Sequence, residues 1–377
     1  MKMTTDPIGI YVHIPFCVRK CVYCDFCSFS DVVSSKRKKY IDALCDEIGS
    51  YKGKGISVDT VFFGGGTPTL LGGDEFQQVV SKIRECFNVV ADAEFTIEAN
   101  PKTLTEENLV KYIACGVNRV SIGLQTIHEK ELKKLGRVHS FEEFLDTYHL
   151  VRRLGIKNVS VDLMYGIPEQ TRETFSETLD KVISLSPEHI SLYGLIVEEG
   201  TPLFENISSY RLPSEDEECD MYYLASKKMR DGGYLHYEIS NYSKNGCFCR
   251  HNLKYWRAEE YIGVGLAAYS YFDGKRYGNG EDIDEYIKDY SLCRVFNENI
   301  GNNLDSNKYE FAMLSLRLCE GFSLSFYKEK FGEDFLVSRR EVIEKFSELG
   351  YLTVKDDRIS FTESGLYVSN TLLTELL

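Results

Sequence analysis

The chain has 377 residues, 43% hydrophobic and 27% charged, which suits a soluble globular protein with one large domain and a smaller one. A formal net charge of −14 argues against a general nucleic-acid binder, and no apolar run approaches the roughly 18 residues of a membrane span. The opening "MKMTTDPIGI" lacks the apolar core of a signal peptide, so a cytoplasmic chain is expected, its twelve cysteines reduced rather than paired.

From residue 8 to about 195, short apolar runs alternate with amphipathic stretches. "GIYVHI", "VDTVFFGG", "AEFTIEA", "RVSIGLQ", "VSVDLMYG" and "HISLYGL" read as strands, with helices between them near 36–51, 74–86, 105–115, 140–154 and 171–185. Ser140 with Glu143 makes a capping box for one of these helices. The alternation predicts an α/β fold in which six parallel strands close, or partly close, through right-handed crossovers. Functional groups are then expected at the C-terminal strand ends. The cysteines, "GGGTP", "EANP" and "LQT" all fall there, with Asp162 inside the fifth strand.

After residue 200 a second capping box, Ser214 with Glu217, opens a helix to about 231. "YLHYEISNYSKNGCFCRHNLKYW" reads as a strand leading into a loop, and "AAYSYFDGKRYGN" as a hairpin around an Asp-Gly turn. From 308 to 377, helices at "KYEFAMLSLRL", near 323–331 and at "VSRREVIEKFSELG", then a "YLTVKDDRISFT" hairpin and a final helix, resemble a winged helix. The segment has no basic stripe, so packing or docking is expected of it rather than nucleic-acid binding.

"CVRKCVYCDFC" places Cys17, Cys21 and Cys24 at C-x3-C-x2-C spacing. One loop of this kind can give three thiolates to an iron–sulfur cube and leave the fourth iron open. A zinc site is the alternative, though zinc more often draws four ligands from paired C-x2-C units. Cys27, after "DF", reads as a spare or packed thiol. Cys247 and Cys249 read as loop thiols, with a second metal site near His251 as the other reading.

"YVHIPFCVRKCVYCDF" resembles the cluster loop of radical S-adenosylmethionine proteins, in particular the oxygen-independent coproporphyrinogen oxidase family and its heme-chaperone branch. "FFGGGTPTLL", "TIEANP", "GVNRVSIGLQT", "KKLGRVHS" and "VDLMYGIPEQT" continue the likeness in family order over nearly the whole chain. The resemblance implies a partial (β/α)6 radical SAM barrel over 1–200, an extension over 201–300 and a winged-helix-like α+β domain over 301–377. It implies a [4Fe–4S] cluster on Cys17, Cys21 and Cys24. It also implies S-adenosylmethionine chelating the open iron, with electron transfer from the cluster breaking the sulfonium bond.

The same resemblance assigns Gly65, Gly66 and Thr67 to close backbone approach. Glu98, Gln125, Arg137 and Asp162 become polar contacts to ribose and carboxylate, and Tyr11 closes over the site. The heme-chaperone branch carries H-N-x-x-Y-W, matched by His251, Asn252, Tyr255 and Trp256. A neutral imidazole is a good axial ligand and aromatic rings can cover a porphyrin face. The residues alone equally allow a loop cap with packed aromatics.

Two departures set the chain apart from the oxidase branch: Phe26 stands where that branch has a fourth cysteine, and only ten residues precede Tyr11. The expectation is a heme chaperone that hands heme to hemoproteins such as respiratory enzymes, at the inner face of the membrane, and forms a homodimer. Coproporphyrinogen decarboxylation is the alternative, and a DNA-binding redox regulator is the remote third.

Overall fold

The computed structural model describes residues 6–30, 32–244, 246–296 and 304–377. The expected boundary between 300 and 301 lies outside the described residues, as does the opening "MKMTT".

Six strands, β1 (Ile8–Ile14), β2 (Ser57–Gly65), β3 (Asn88–Ala99), β4 (Arg119–Gln125), β5 (Asn158–Tyr165) and β6 (His189–Gly194), lie side by side in chain order, all parallel. Helices Ser34–Gly49, Gly73–Cys86, Glu106–Ala114, Phe141–Arg153 and Arg172–Leu185 connect them. The Ser140 box is reciprocal: Glu143 N–H donates to Ser140 Oγ at 3.3 Å, and Ser140 N–H donates to Glu143 Oε2 at 2.8 Å. Ser214 and Glu217 pair in the same way.

The side chains alternate with period two along these strands. Ile10, Val12, Val61, Phe63, Ile97, Val120, Val161 and Ile190 are fully buried in the main apolar core. The intervening positions are largely polar: Tyr11 and His13, Thr60, Glu94 and Glu98, Arg119 and Ser121, Ser160 and Asp162, His189 and Ser191. Strands of a parallel sheet are usually apolar on both faces. Here the second face supplies the walls of two cavities.

β1 does not pair with β6. It pairs with β9 (Tyr261–Val264), and the antiparallel β10 (Tyr269–Phe272), β11 (Lys275–Asn279) and β12 (Arg294–Phe296) continue that edge. On the other edge β6 meets β8 (Asn241–Ser243), itself paired with β7 (Leu235–Glu238). The expected strand-then-loop over 234–256 is corrected on this point: its last seven residues form a helix, Arg250–Trp256. No side chain caps that helix locally. Glu94 of β3 accepts the N–H groups of Arg250 and His251, each at 3.1 Å, a cap supplied from far away in the chain.

The C-terminal unit has its own core, with Phe311, Tyr327, Phe335, Phe346 and Ile359 at its centre. Its helices run Leu304–Ser315, Leu324–Phe331 and Arg340–Glu348, with a Leu352–Lys355/Arg358–Phe361 hairpin. The expected final helix is two short ones, Glu363–Tyr367 and Ser369–Leu376.

Candidate functional site

At the C-terminal strand ends a cavity of about 330 Å³ collects Cys17, Cys21 and Cys24 with Gly65, Gly66, Thr67, Glu98, Gln125, Arg137 and Asp162. The thiol loop is held at two points: Cys17 N–H donates to Phe29 O at 2.9 Å, and Val22 N–H donates to Leu135 O, at the end of the helix Glu129–Lys134, at 3.1 Å. Arg137 organises the floor. Its Nη2 donates to Gly123 O at 2.7 Å, and its Nη1 to Asn100 Oδ1 at 3.0 Å and Cys21 Sγ at 3.7 Å. Asn100 in turn donates to Thr67 Oγ1 at 2.8 Å, and Thr67 donates to Cys17 Sγ at 3.7 Å.

Two of the thiols therefore receive hydrogen-bond donors. Among the described residues no three His, Cys, Asp or Glu side chains converge on one metal-ion position. Thiols spread around a loop suit separate corners of a cluster better than one zinc, whose sulfur ligands all sit about 2.3 Å from it.

The glycines of "GGGTP" answer to packing. Gly65 has φ of +110°, and a Cβ there would lie 2.5 Å from the His13 ring; one on Gly66 would lie 2.7 Å from Phe16 O. Gly65 N–H donates to Glu98 Oε2 at 3.1 Å. Burial, then the neighbouring Asp162, pushes the Glu98 carboxyl up to about 8. Gln125 has a left-handed φ of +71°, uncommon for a non-glycine residue and often found where a side chain must be aimed.

Tyr11, expected to close over the site, lines a second, inner chamber of about 190 Å³. His13 Nε2–H donates to Cys27 O at 2.9 Å; a carbonyl only accepts, so Nδ1 is the acceptor of the Tyr11 hydroxyl at 3.0 Å. Cys27 turns its thiol to Glu281 O at 3.8 Å and is not part of the cavity wall.

The inner chamber also receives His251, Asn252 and Tyr255. His251 is fully buried, with Nδ1 2.9 Å from Thr60 Oγ1 and Nε2 2.7 Å from the Tyr255 hydroxyl. Burial, with Lys254 and Arg119 nearby, pulls this imidazole down to about 3, so it is neutral. Trp256 is separated from the other three. It packs with Tyr237, Leu253 and Leu318, and its carbonyl accepts from Ser315 of the C-terminal unit at 3.3 Å. Cys249 is buried beside Glu94, at 3.8 Å, while Cys247 is partly exposed.

Residues that sequence reasoning missed are His13, Glu94, Asn100, Arg119 and Gly123. A Cβ on Gly123 would lie 2.5 Å from Arg137 Nη2, so the glycine makes room for the guanidinium. The available signal was the polar period-two row, as in the "R-S-G-Q" positions of "RVSIGLQ".

The Radical SAM superfamily profile matches residues 11–182, and the HemN C-terminal domain profile matches 308–368. The heme chaperone HemW of Lactococcus lactis is 32% identical over 377 residues, covering 100% of this chain and 98% of that protein. That of Escherichia coli is 34% identical, covering 97% of each. Coproporphyrinogen III oxidase (HemN) from Escherichia coli, a radical SAM enzyme, superposes with a TM-score of 0.83 at 22% identity, over 98% of this chain and 90% of that one. Among the described residues no helix is long and apolar enough to cross a membrane.

Proposed function

We propose that this chain, which belongs to the heme chaperone HemW family of radical SAM proteins, binds heme and passes it to recipient hemoproteins. The near-full-length similarity to proteins of that name carries the reading. Cys17, Cys21 and Cys24 would hold a [4Fe–4S] cluster, a group that supplies one-electron chemistry when bound. Gly65, Gly66, Thr67, Glu98, Gln125, Arg137 and Asp162 would hold S-adenosylmethionine beside it, with Tyr11 acting from below. Arg137, anchored by Gly123 and Asn100, is the residue fitted to a carboxylate.

His251, with Asn252, Tyr255 and Trp256, is the proposed heme motif. The neutral imidazole has the electronic form an axial ligand needs. Coordination requires the Thr60 or Tyr255 hydrogen bond to be exchanged for iron. It also requires the Arg250–Trp256 helix to move, since a 190 Å³ chamber is below the roughly 300 Å³ of small ligand pockets. Delivery at the inner membrane surface and a homodimer belong to the same proposal.

The second reading, coproporphyrinogen III decarboxylation, is favoured by the intact ring of polar groups around the thiol cavity. Anaerobically reconstituted protein distinguishes the two. One portion is titrated with heme, and the other receives S-adenosylmethionine, reductant and coproporphyrinogen III. Stoichiometric heme binding without protoporphyrinogen supports the chaperone, and steady product formation overturns it. His251→Ala should weaken heme binding while the cluster absorbance persists; unchanged heme affinity removes His251 as the ligand.

A further inference from the structure

The inner chamber lies beneath the thiol cavity, toward the N-terminal ends of the strands, and the two share Glu98, Asp162 and Tyr193 as walls. Arg119, the first residue of β4, is 2% exposed and lines only the inner one. Among the described residues its Nε has no hydrogen-bond partner. A guanidinium keeps its charge, and a buried N–H donor left unpaired is unfavourable.

Glu94 and Asp162 both act on Arg119 electrostatically, and their oxygens also accept from other groups. Glu94 accepts from Arg250 N–H and His251 N–H, each at 3.1 Å. Asp162 accepts from Ser121 Oγ at 2.9 and 3.1 Å. Asn252 adds an amide and Ser191 a hydroxyl to the same walls. The chamber thus combines a buried cation, neutral donors and space beside the Glu98 and Asp162 carboxyl groups.

We propose that the inner chamber is a subsite for the carboxylate group of a ligand, with Arg119 as its forked partner and Asn252 beside it. At about 190 Å³ it admits an arm rather than a whole cofactor, and it adjoins the thiol cavity at Glu98, Asp162 and Tyr193. A porphyrin propionate is one source of such a group, and that assignment rests on the heme reading above. A small free carboxylate is the other source.

The test uses full-length, cluster-reconstituted wild type, Arg119→Gln and Arg119→Lys. Each is titrated with heme and with heme dimethyl ester, and its unfolding midpoint is recorded with and without millimolar sodium propionate. A propionate arm predicts that Arg119→Gln binds heme roughly 10- to 100-fold more weakly. Arg119→Lys should be intermediate, and the ester should bind all three alike and weakly. A propionate-induced rise in midpoint that is lost in Arg119→Gln, with heme affinity unchanged or heme not bound at all, assigns the subsite to a small carboxylate. In the case without heme binding the chaperone reading falls and the subsite stands. Equal heme affinity in all three with no propionate response overturns the proposal, leaving Arg119 as a counter-ion of Glu94 and Asp162. Should Arg119→Gln fail to fold, the heme-versus-ester contrast between wild type and Arg119→Lys decides in the same way.

Discussion

The carboxylate of Glu94 holds the backbone of His251: its Oε1 accepts the His251 N–H at 3.1 Å while its Oε2 accepts that of Arg250. One side chain of β3 therefore starts the helix that carries the proposed heme motif. Its negative charge also sits where the unsatisfied N–H groups of a helix start accumulate. Asp59 adds a second tie, 3.0 Å from Lys254 Nζ on the same helix.

Replacing Glu94 with Gln should loosen this helix. Charge-assisted hydrogen bonds of a buried carboxylate contribute on the order of 1–3 kcal/mol. Urea denaturation of Glu94→Gln should show a loss of that size, and His251 should become more accessible to diethyl pyrocarbonate. A wild-type midpoint with wild-type labelling would mean that the helix forms without this cap.

Gly123→Ala should disable Arg137 without replacing a thiol, although Cys21 would lose the donor at 3.7 Å. The new methyl group would lie 2.5 Å from Arg137 Nη2, inside contact distance, and push the guanidinium off Asn100 and the Gly123 carbonyl. S-adenosylmethionine binding to the reconstituted protein is expected to weaken by roughly 10-fold or more. The cluster absorbance should remain. Calorimetry giving the same affinity as wild type would remove Arg137 from the cofactor's contacts.

Glu98 makes stability depend on pH in a defined direction. Its carboxyl is raised from 4.5 to about 8 in the folded state, chiefly by burial. Between those values the folded chain holds a proton that the unfolded chain has released, so stability falls as pH rises through the window. Glu98→Gln lacks this proton. The variant should gain on wild type from pH 5 to pH 8, by on the order of 1 kcal/mol per pH unit at most. Parallel stability curves for the two proteins would contradict the raised value.

Cys27 is adjacent in sequence to the thiol loop yet faces away from the cavity, its thiol against Glu281 O and pushed up to about 11, first by burial. Cys27→Ser should reconstitute with full cluster absorbance, while Ser at Cys17, Cys21 or Cys24 should abolish it. Loss of the cluster in Cys27→Ser would make Cys27 a ligand.

Local pattern determined a good deal of this molecule. The six strands and their crossover helices were legible because apolar periodicity and reciprocal caps such as Ser140 with Glu143 act within a few residues. The thiol spacing and the glycine turn were legible because they follow strand ends, where a parallel fold gathers its functional groups, while Arg137, beyond the helix after β4, was legible only through the family resemblance.

What only the tertiary structure decided depends on residues far apart in the chain. "RHNLKYW" contains no cap of its own and reads as a loop until Glu94 of β3 supplies one. His251 and Trp256 are five positions apart, yet one enters the inner chamber and the other packs on the C-terminal unit. Arg119 shows nothing unusual in "RVSIGLQ"; its unpaired Nε among the described residues is a property of the space that six strands enclose. Periodicity reports which side of a strand a residue faces, whereas the partners it meets there are set by how the strands curl together.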